Sequence, residues 1–192
     1  MKLVFATNNL NKLKEVQALI PEHIQLLSLL EIGCKEDVPE TQNTIEGNAI
    51  QKAEYIKNNY GYDCFADDTG LEVATLNNEP GVFSARYAGE QRNSEDNINL
   101  LLENLKGKPN RQAQFKTVIA LHLNGNLKTF TGICEGEITS EKQGEHGFGY
   151  DPIFKAKGYS KTFAEISLDE KNKIGHRGKA VKQLVDFLVN QK

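Results

Sequence analysis

Apolar residues recur along this chain with two different spacings, which alternate from its beginning to its end. Short apolar runs bounded by polar loops predict strands, and apolar positions three and four residues apart predict helices. Strands are predicted at residues 2–6, 24–30, 64–66, 71–73, 113–123 and 127–134. Helices are predicted at residues 13–20, 44–59, 94–105 and 181–188. This order predicts an α/β fold with an elongated, twisted mixed β-sheet flanked by helices, in which residues 1–192 form one domain with two lobes around a central cleft.

The stretch from Phe65 to Val73 is the centre of the predicted sheet. An apolar strand ends there in Asp67-Asp68-Thr69-Gly70, and an extended pattern then resumes. Polar groups at the tip of a strand lie where open α/β sheets bind ligands. Since neighbouring strand residues point to opposite sides, we expect Asp67 and Asp68 to have different roles. The alternative is an acidic turn without chemistry.

A polar loop joins the first predicted strand to the first predicted helix. It consists of Thr7, Asn8, Asn9, Leu10, Asn11 and Lys12. A helix that begins after such a loop directs backbone N–H groups and its positive dipole end at one point, which favours an anion. Lys12 adds a positive charge there. The alternative is that Asn9 or Asn11 only caps the helix.

Two further segments carry groups suited to a flat, charged ligand. Residues 144–152 are rich in glycine around Phe148, Gly149, Tyr150 and Asp151, so the backbone can approach a ring that stacks on Phe148. A basic cluster includes Lys171, His176 and Arg177, followed by the last helix. Cations at a helix start oppose the helix dipole, which suggests that an anion binds there. The alternatives are a loop with core aromatics and a solvated basic turn.

Composition excludes several classes of function. The net charge is -3 and the sequence pI is near 5.9, which argues against a large nucleic-acid surface. No apolar run approaches the length that spans a bilayer, and the first residues do not resemble a signal peptide. Three widely spaced cysteines fit a reducing compartment. We therefore expect a cytosolic protein that binds neither membranes nor nucleic acid.

Together these patches match the parts of a nucleoside triphosphate. Carboxylates at Glu40, Asp67 and Asp68 can hold Mg²⁺ through oxygen ligands. Lysines can neutralise phosphates, an aromatic ring can stack on the base, and polar side chains can read the base edge. Such residues are found at Lys12, Lys52 and Lys171, at Phe148, and at Asp151, His176 and Arg177. The chemistry that fits is metal-assisted attack of water on phosphorus, with a carboxylate as proton acceptor.

Six short motifs, in order over almost the whole chain, resemble the inosine triphosphate pyrophosphatase family, the Ham1-like group. They are residues 6–12, 48–49, 66–71, 80–87 and 147–152, and Lys171 with His176-Arg177-Gly178. The resemblance implies hydrolysis of ITP, dITP and XTP to the monophosphate and pyrophosphate, with Mg²⁺, in a homodimer. Val82 to Tyr87 is a candidate interface by analogy. Asn8 departs from a common glycine, and Thr69 and Gly175 depart from common serines.

The resemblance also implies roles for individual residues. Thr7 to Lys12 hold the triphosphate, which Lys52 also faces, and Thr69 contacts the substrate. Glu40 and Asp68 serve the metal; Asp68 is also the catalytic proton acceptor, and Asp67 supports it. The residues around the nucleotide, mostly at its base, are Phe148, Gly149, Tyr150, Asp151, Lys171, His176 and Arg177.

Base selectivity has a physical explanation. Hypoxanthine and xanthine present an O6 acceptor to hydrogen-bond donors of the site. If adenine binds instead, these donors have no partner, which can reduce turnover by roughly ten thousandfold. Two alternatives remain at this stage. One is a Maf-like nucleotide pyrophosphatase with a different base preference, and the other is a nucleotide sensor that binds without cleaving.

Overall fold

The computed structural model describes residues 1–190 and contains seven strands and five α-helices within that range. The strands are β1 (Lys2–Phe5), β2 (Gln25–Leu27), β3 (Cys64–Val73), β4 (Glu79–Gly81), β5 (Gln112–Leu123), β6 (Asn126–Ile138) and β7 (Phe154–Ala156). The helices are α1 (Leu10–Gln17), α2 (Ile45–Tyr60), α3 (Ser94–Asn104), α4 (Leu168–Ile174) and α5 (His176–Val189). The predicted α/β fold with a mixed sheet and flanking helices is confirmed.

The strands form one sheet in the order β2-β1-β3-β5-β6-β7, with β4 also beside β3. β1 runs parallel to β2 and β3, whereas β4 runs antiparallel to β3 and β7 antiparallel to β6. The two-residue turn Asn124-Gly125 joins β5 to β6, and both residues have positive φ angles. Asn-Gly is a sequence that favours such a hairpin turn.

The central strand differs from the prediction, because β3 continues without a break through Asp67, Asp68 and Thr69. Its register with β1 extends to Phe65, and its register with β4 begins at Leu71. The acidic pair therefore lies where β3 exchanges one neighbouring strand for another, and not at a strand tip. β5 is a further neighbour of β3 in the sheet, so the extended backbone of β3 is flanked by strands on both sides.

The chain divides into two compact units. The first comprises Met1–Asp68, Thr117–Gly132 and the chain from Arg177 onward, and the second comprises Thr69–Lys116 and Ile133–His176. In the first unit, Phe5 and Phe65 stack with centroids 4.6 Å apart within a core that includes α1 and α5 side chains. In the second unit, Phe115, Phe154 and Phe163 form an aromatic core. None of the helices within residues 1–190 is long and apolar enough to span a membrane.

The basic segment near the C-terminus divides between two helices. Lys171 lies in the last turn of α4, where a positive charge agrees with the helix dipole. His176 begins α5, with Arg177 next to it. The predicted conflict with the dipole therefore applies only to His176 and Arg177.

Candidate active site

Asp67 is a buried carboxylate of the first unit with several cationic partners. Its Oδ1 accepts a hydrogen bond from Lys12 Nζ at 3.0 Å, and its Oδ2 accepts one from Arg177 Nε at 3.0 Å. Its backbone oxygen accepts from Lys52 Nζ at 2.7 Å. The residue is 1% exposed. Burial alone would raise the pKa of Asp67, but the charges of Lys12, Arg177 and Lys52 outweigh burial and lower it.

Arg177 is held on both sides by carboxylates. Its Nη1 donates to Glu15, a buried acid on α1, while its Nε donates to Asp67. Burial would lower the pKa of Arg177, but Asp67 and Glu15 raise it. Arg177 therefore stays charged although it is almost fully buried. A role for Arg177 at the base of a nucleotide stays a prediction.

Lys52 joins the two predicted metal ligands. It projects from α2, and its Nζ lies 2.5 Å from Glu40 Oε1 and 3.7 Å from Asp68 Oδ1. Burial would lower the pKa of Lys52, but Asp68, Glu40 and Asp67 together raise it. A charged lysine in this position keeps two carboxylates close together despite their repulsion.

Asp68 differs from its neighbour in environment. It is 9% exposed, and its Oδ2 accepts a hydrogen bond from Asn48 Nδ2 at 3.3 Å. Burial raises the pKa of Asp68, and Lys52 and Lys12 offset this only in part. The two adjacent aspartates thus have pKa shifts of opposite sign. A carboxylate with a raised pKa is better suited to accept a proton near neutral pH.

The loop between β1 and α1 has a well-defined local structure. Asn9 is the N-cap of α1, since its side chain accepts from the backbone N–H groups of Asn11 and Lys12. Thr7 Oγ1 accepts from the Asn9 N–H. Asn8, Asn9, Leu10 and Asn11 are exposed, whereas the Lys12 side chain is only 13% exposed. Asn9 therefore does cap the helix, and Lys12 extends from the capped end to Asp67.

A second cluster lies in the second unit. Lys171 Nζ donates to Asp151 Oδ2 at 2.6 Å and lies 4.9 Å from the centre of the Phe148 ring. Asp151 Oδ2 also accepts from the Phe148 N–H at 2.8 Å. A cation over a ring face is attracted by the ring's negative charge density. One acid and one lysine therefore fix the position of the half-buried Phe148 ring.

The neighbouring predicted residues have mixed environments. His176 stacks on Phe115 with centroids 4.6 Å apart and is almost fully buried. Tyr150 is buried in the core, and its hydroxyl donates to the Ser84 carbonyl at 2.9 Å. Gly149 has a φ of 61°, a conformation that favours glycine. Thr69 is half-buried in β3.

The structure thus brings about half of the predicted residues together in two clusters. Lys12, Glu40, Lys52 and Asp68 lie together with Asp67 and Arg177 in the first unit. Phe148, Asp151 and Lys171 lie together in the second unit. Within residues 1–190, no group of three or more His, Cys, Asp or Glu side chains could hold a metal ion by itself.

Two residues of the first cluster were given no role from the sequence, although Asn48 lies in one of the six motifs. Glu15 completes the pairing of Arg177, and Asn48 contacts Asp68. The sequence feature that could have indicated a buried Glu15 is its position next to the apolar residue Val16 in a helical pattern. For Asn48, the corresponding feature is its position beside Ala49 and one helical turn before Lys52, both of which are buried. Neither pattern distinguishes a buried polar side chain from an exposed one.

A groove of about 660 Å³ also lies in the second unit. Its walls include Glu72, Gln114, Glu137, Lys155 and Tyr159. None of the predicted site residues lines it.

The structure is that of an α/β protein with a buried cluster of acids, lysines and an arginine, and comparison with known proteins places it more closely. The model of the Ham1 family matches residues 3–187, and the chain belongs to this family. A dITP/XTP pyrophosphatase of Flavobacterium johnsoniae is 63% identical over the full length of both chains. The dITP/XTP pyrophosphatase of Bacillus subtilis is 46% identical over 96% of both.

Solved structures agree with this assignment. The Ham1 protein of Staphylococcus aureus is 41% identical, with a TM-score of 0.91 over all of both chains. A HAM1 protein from Coxiella burnetii is 40% identical, with a TM-score of 0.92 over 99% of both. The resemblance found from six sequence motifs is thereby confirmed.

Proposed function

We propose that this protein hydrolyses nonstandard purine nucleoside triphosphates, namely dITP, ITP and XTP, to the monophosphate and pyrophosphate. Relatives up to 63% identical over the whole chain carry the name dITP/XTP pyrophosphatase. The observation that carries the proposal is the cluster of Lys12, Lys52, Glu40 and Asp68 on β3 and its neighbours. Removal of these substrates would keep deaminated purines out of the nucleotide pool.

The first cluster fits a divalent cation shared with the substrate. It contains the basic residues Lys12, Lys52 and Arg177 and the acidic residues Glu15, Glu40, Asp67 and Asp68. This excess of carboxylate charge would repel a triphosphate unless a cation accompanied it. Mg²⁺ is usually bound by one or two carboxylates together with substrate phosphates, and Glu40 and Asp68 supply that number. Mg²⁺ bound there would neutralise phosphate charge and polarise the phosphorus–oxygen bond.

The cationic residues of this cluster would bind the phosphates. Lys12 and Lys52 are held by the side chain and the backbone oxygen of Asp67, respectively. Fixed lysines lose little conformational freedom when the substrate arrives. The exposed residues Asn8 to Asn11 would contact the triphosphate from the start of α1, near the positive end of its dipole.

Asp68 is the proposed proton acceptor. It would take a proton from the water molecule that attacks the α-phosphorus, while the bond to the β-phosphate oxygen breaks and pyrophosphate leaves. Its burial raises its pKa toward the working pH, which suits a general base. Asp67, whose pKa is lowered, would stay ionised and position Lys12.

The second cluster is the proposed base site. Phe148 would stack on the purine, and Lys171 with Asp151 would supply polar contacts to its edge. Donors directed at O6 would accept hypoxanthine and xanthine and reject adenine. We also propose, from the resemblance, contacts from His176 and Arg177, a homodimeric state and a cytosolic location.

The test is a kinetic panel of dITP, XTP, ITP, GTP and ATP with Mg²⁺, in which pyrophosphate release is measured. We expect turnover of the first three and weak turnover of GTP and ATP. Asp68→Asn should reduce kcat by about 10²–10⁴-fold while substrate binding persists. Equal turnover of ATP and dITP would contradict the base selectivity. Binding of dITP without pyrophosphate release by the unaltered protein would instead indicate a nucleotide sensor.

A further inference from the structure

Asn48 connects two parts of the first cluster through one buried side chain. Its Oδ1 accepts a hydrogen bond from the Gln42 N–H at 2.8 Å, and its Nδ2 donates to Asp68 Oδ2 at 3.3 Å. It lies in the first turn of α2 and is 2% exposed. Gln42 is two residues after Glu40, so Asn48 ties the segment that carries Glu40 to the carboxylate of Asp68.

The same helix holds the segment on both sides of Glu40. Gln51 forms two hydrogen bonds of 2.8 Å with Thr41: its Oε1 accepts from the Thr41 N–H, and its Nε2 donates to Thr41 Oγ1. The Glu36 carboxylate accepts from the hydroxyls of Tyr55 and Tyr60. These contacts, with the Lys52–Glu40 pair, attach a segment that lacks regular secondary structure to the rigid α2 helix.

Close packing at Gly47 supports the importance of this attachment. A Cβ at Gly47 would lie 2.8 Å from Gln42 Cβ and 2.9 Å from Thr44 Oγ1. Gly47 is the third residue of α2 and so lies in its first turn. The absence of a Cβ at Gly47 therefore leaves room for Gln42 to lie close to the first turn of α2.

We propose that Asn48 is a positioning residue, which sets the location of Asp68 relative to Glu40 so that both carboxylates can serve one divalent cation. This inference rests on the proposed role of Glu40 and Asp68 as metal ligands. A primary amide can accept from a backbone N–H and donate to a carboxylate at the same time. Aspartate keeps only the first of these functions, and alanine keeps neither.

The first experiment compares Asn48→Ala with the unaltered enzyme. Residues that orient metal ligands typically contribute 10–100-fold to metal affinity or activity. We therefore expect Mn²⁺ alone, followed by electron paramagnetic resonance, to bind about 10–100-fold more weakly to the variant. At saturating metal, kcat for dITP should fall by a similar factor while KM is unchanged. Hydrogen exchange at the Gln42 amide should accelerate in the variant.

Asn58→Ala is the matched control, because Asn58 is an exposed asparagine on the same helix. It should leave Mn²⁺ binding, kcat and Gln42 exchange unchanged. If Asn48→Ala binds Mn²⁺ as well as the unaltered protein, the positioning role is wrong. If the unaltered protein releases no pyrophosphate but Asn48→Ala still weakens Mn²⁺ binding, the proposed function fails and the positioning role stands.

A reciprocal exchange tests the Asn48–Asp68 contact without measuring activity. Asn48→Asp places two carboxylates against each other and should lower Tm, while protection of the Gln42 amide persists. Combining it with Asp68→Asn restores one donor and one acceptor, so the loss of Tm caused by Asn48→Asp should be smaller in that background. Equal losses in both backgrounds would mean that the two side chains are not coupled.

Discussion

The adjacent residues Asp67 and Asp68 should respond in opposite ways to the same substitution. Asp67 forms salt bridges to Lys12 and Arg177 within the first unit, at 3.0 Å each, and is almost fully buried. Asp68 is also buried, but its nearest lysine nitrogen, on Lys52, lies 3.7 Å away. Asp67→Asn should therefore destabilise the fold, whereas Asp68→Asn should not.

The signs follow from the two pKa shifts. The pKa of Asp67 is lowered on folding, so its ionised form contributes stability above the unfolded pKa of about 3.9, and this is lost as pH falls through the folded pKa. The pKa of Asp68 is raised, so ionisation destabilises the fold as pH rises through the folded pKa. Neutralising Asp68 removes that destabilisation at pH 7.

The expected magnitude for Asp67→Asn comes from the general behaviour of buried ion pairs. Removing one partner leaves a buried charge without compensation and lowers the free energy of unfolding by about 3–5 kcal/mol. For a chain of this size, each kcal/mol corresponds to about 2–4 °C in Tm, so Tm should fall by roughly 6–20 °C. Asp68→Asn should leave Tm equal or raise it.

The assay is thermal unfolding at pH 7, followed by circular dichroism, with pyrophosphate release measured well below both Tm values. Asp67→Asn should keep measurable turnover at low temperature, whereas Asp68→Asn should lose it. A comparable loss of Tm in both variants would refute the assignment of different roles. Full turnover in Asp68→Asn would identify a different residue as the base.

Three further predictions concern other parts of the chain. Phe148→Ala should raise KM for dITP by about tenfold or more with a smaller effect on kcat, since stacking on a base contributes about 1–3 kcal/mol; unchanged KM would place the base elsewhere. Gly147→Ala should weaken dITP binding similarly, because its Cβ would lie 2.0 Å from Asp151 Oδ2 and its φ is 76°; binding by calorimetry checks this. Burial raises the pKa of Cys64 to about 12. The protonated thiol therefore contributes stability that is fully present below the unfolded pKa of about 8.5 and is lost as pH rises toward 12. Cys64→Ala should therefore flatten the loss of Tm between pH 8.5 and 10, and an unchanged slope would contradict this.

The hairpin and the helices illustrate what local patterns predict well. Asn124-Gly125 supplies the positive φ angles that a two-residue turn requires, and Asn-Gly is a sequence that favours this turn between two strands. Thr44 caps α2 and Ser167 caps α4. In each case the side chain accepts a hydrogen bond from the backbone N–H three residues later. These signals act within four residues of chain, so no tertiary contact is needed to read them.

The central strand illustrates the opposite case. Asp67-Asp68-Thr69-Gly70 has the composition of a turn, but it forms the middle of a ten-residue strand. β3 lies between β1 and β5 in the sheet, and both of these neighbouring strands are distant from it in sequence. Long-range pairing therefore overrides the local preference.

The sequence alone determined the α/β class, the family and which residue types carry charge for a nucleotide, because periodicity, turn chemistry and short motifs are local. Only the tertiary structure decided how those charges are paired. It assigned Asp67 to Lys12 and Arg177, brought in Glu15 from α1, and gave Asp68 a buried amide partner in Asn48. The physical reason is that a pKa shift depends on burial and on charges a few ångströms away, and both arise only when distant segments pack together.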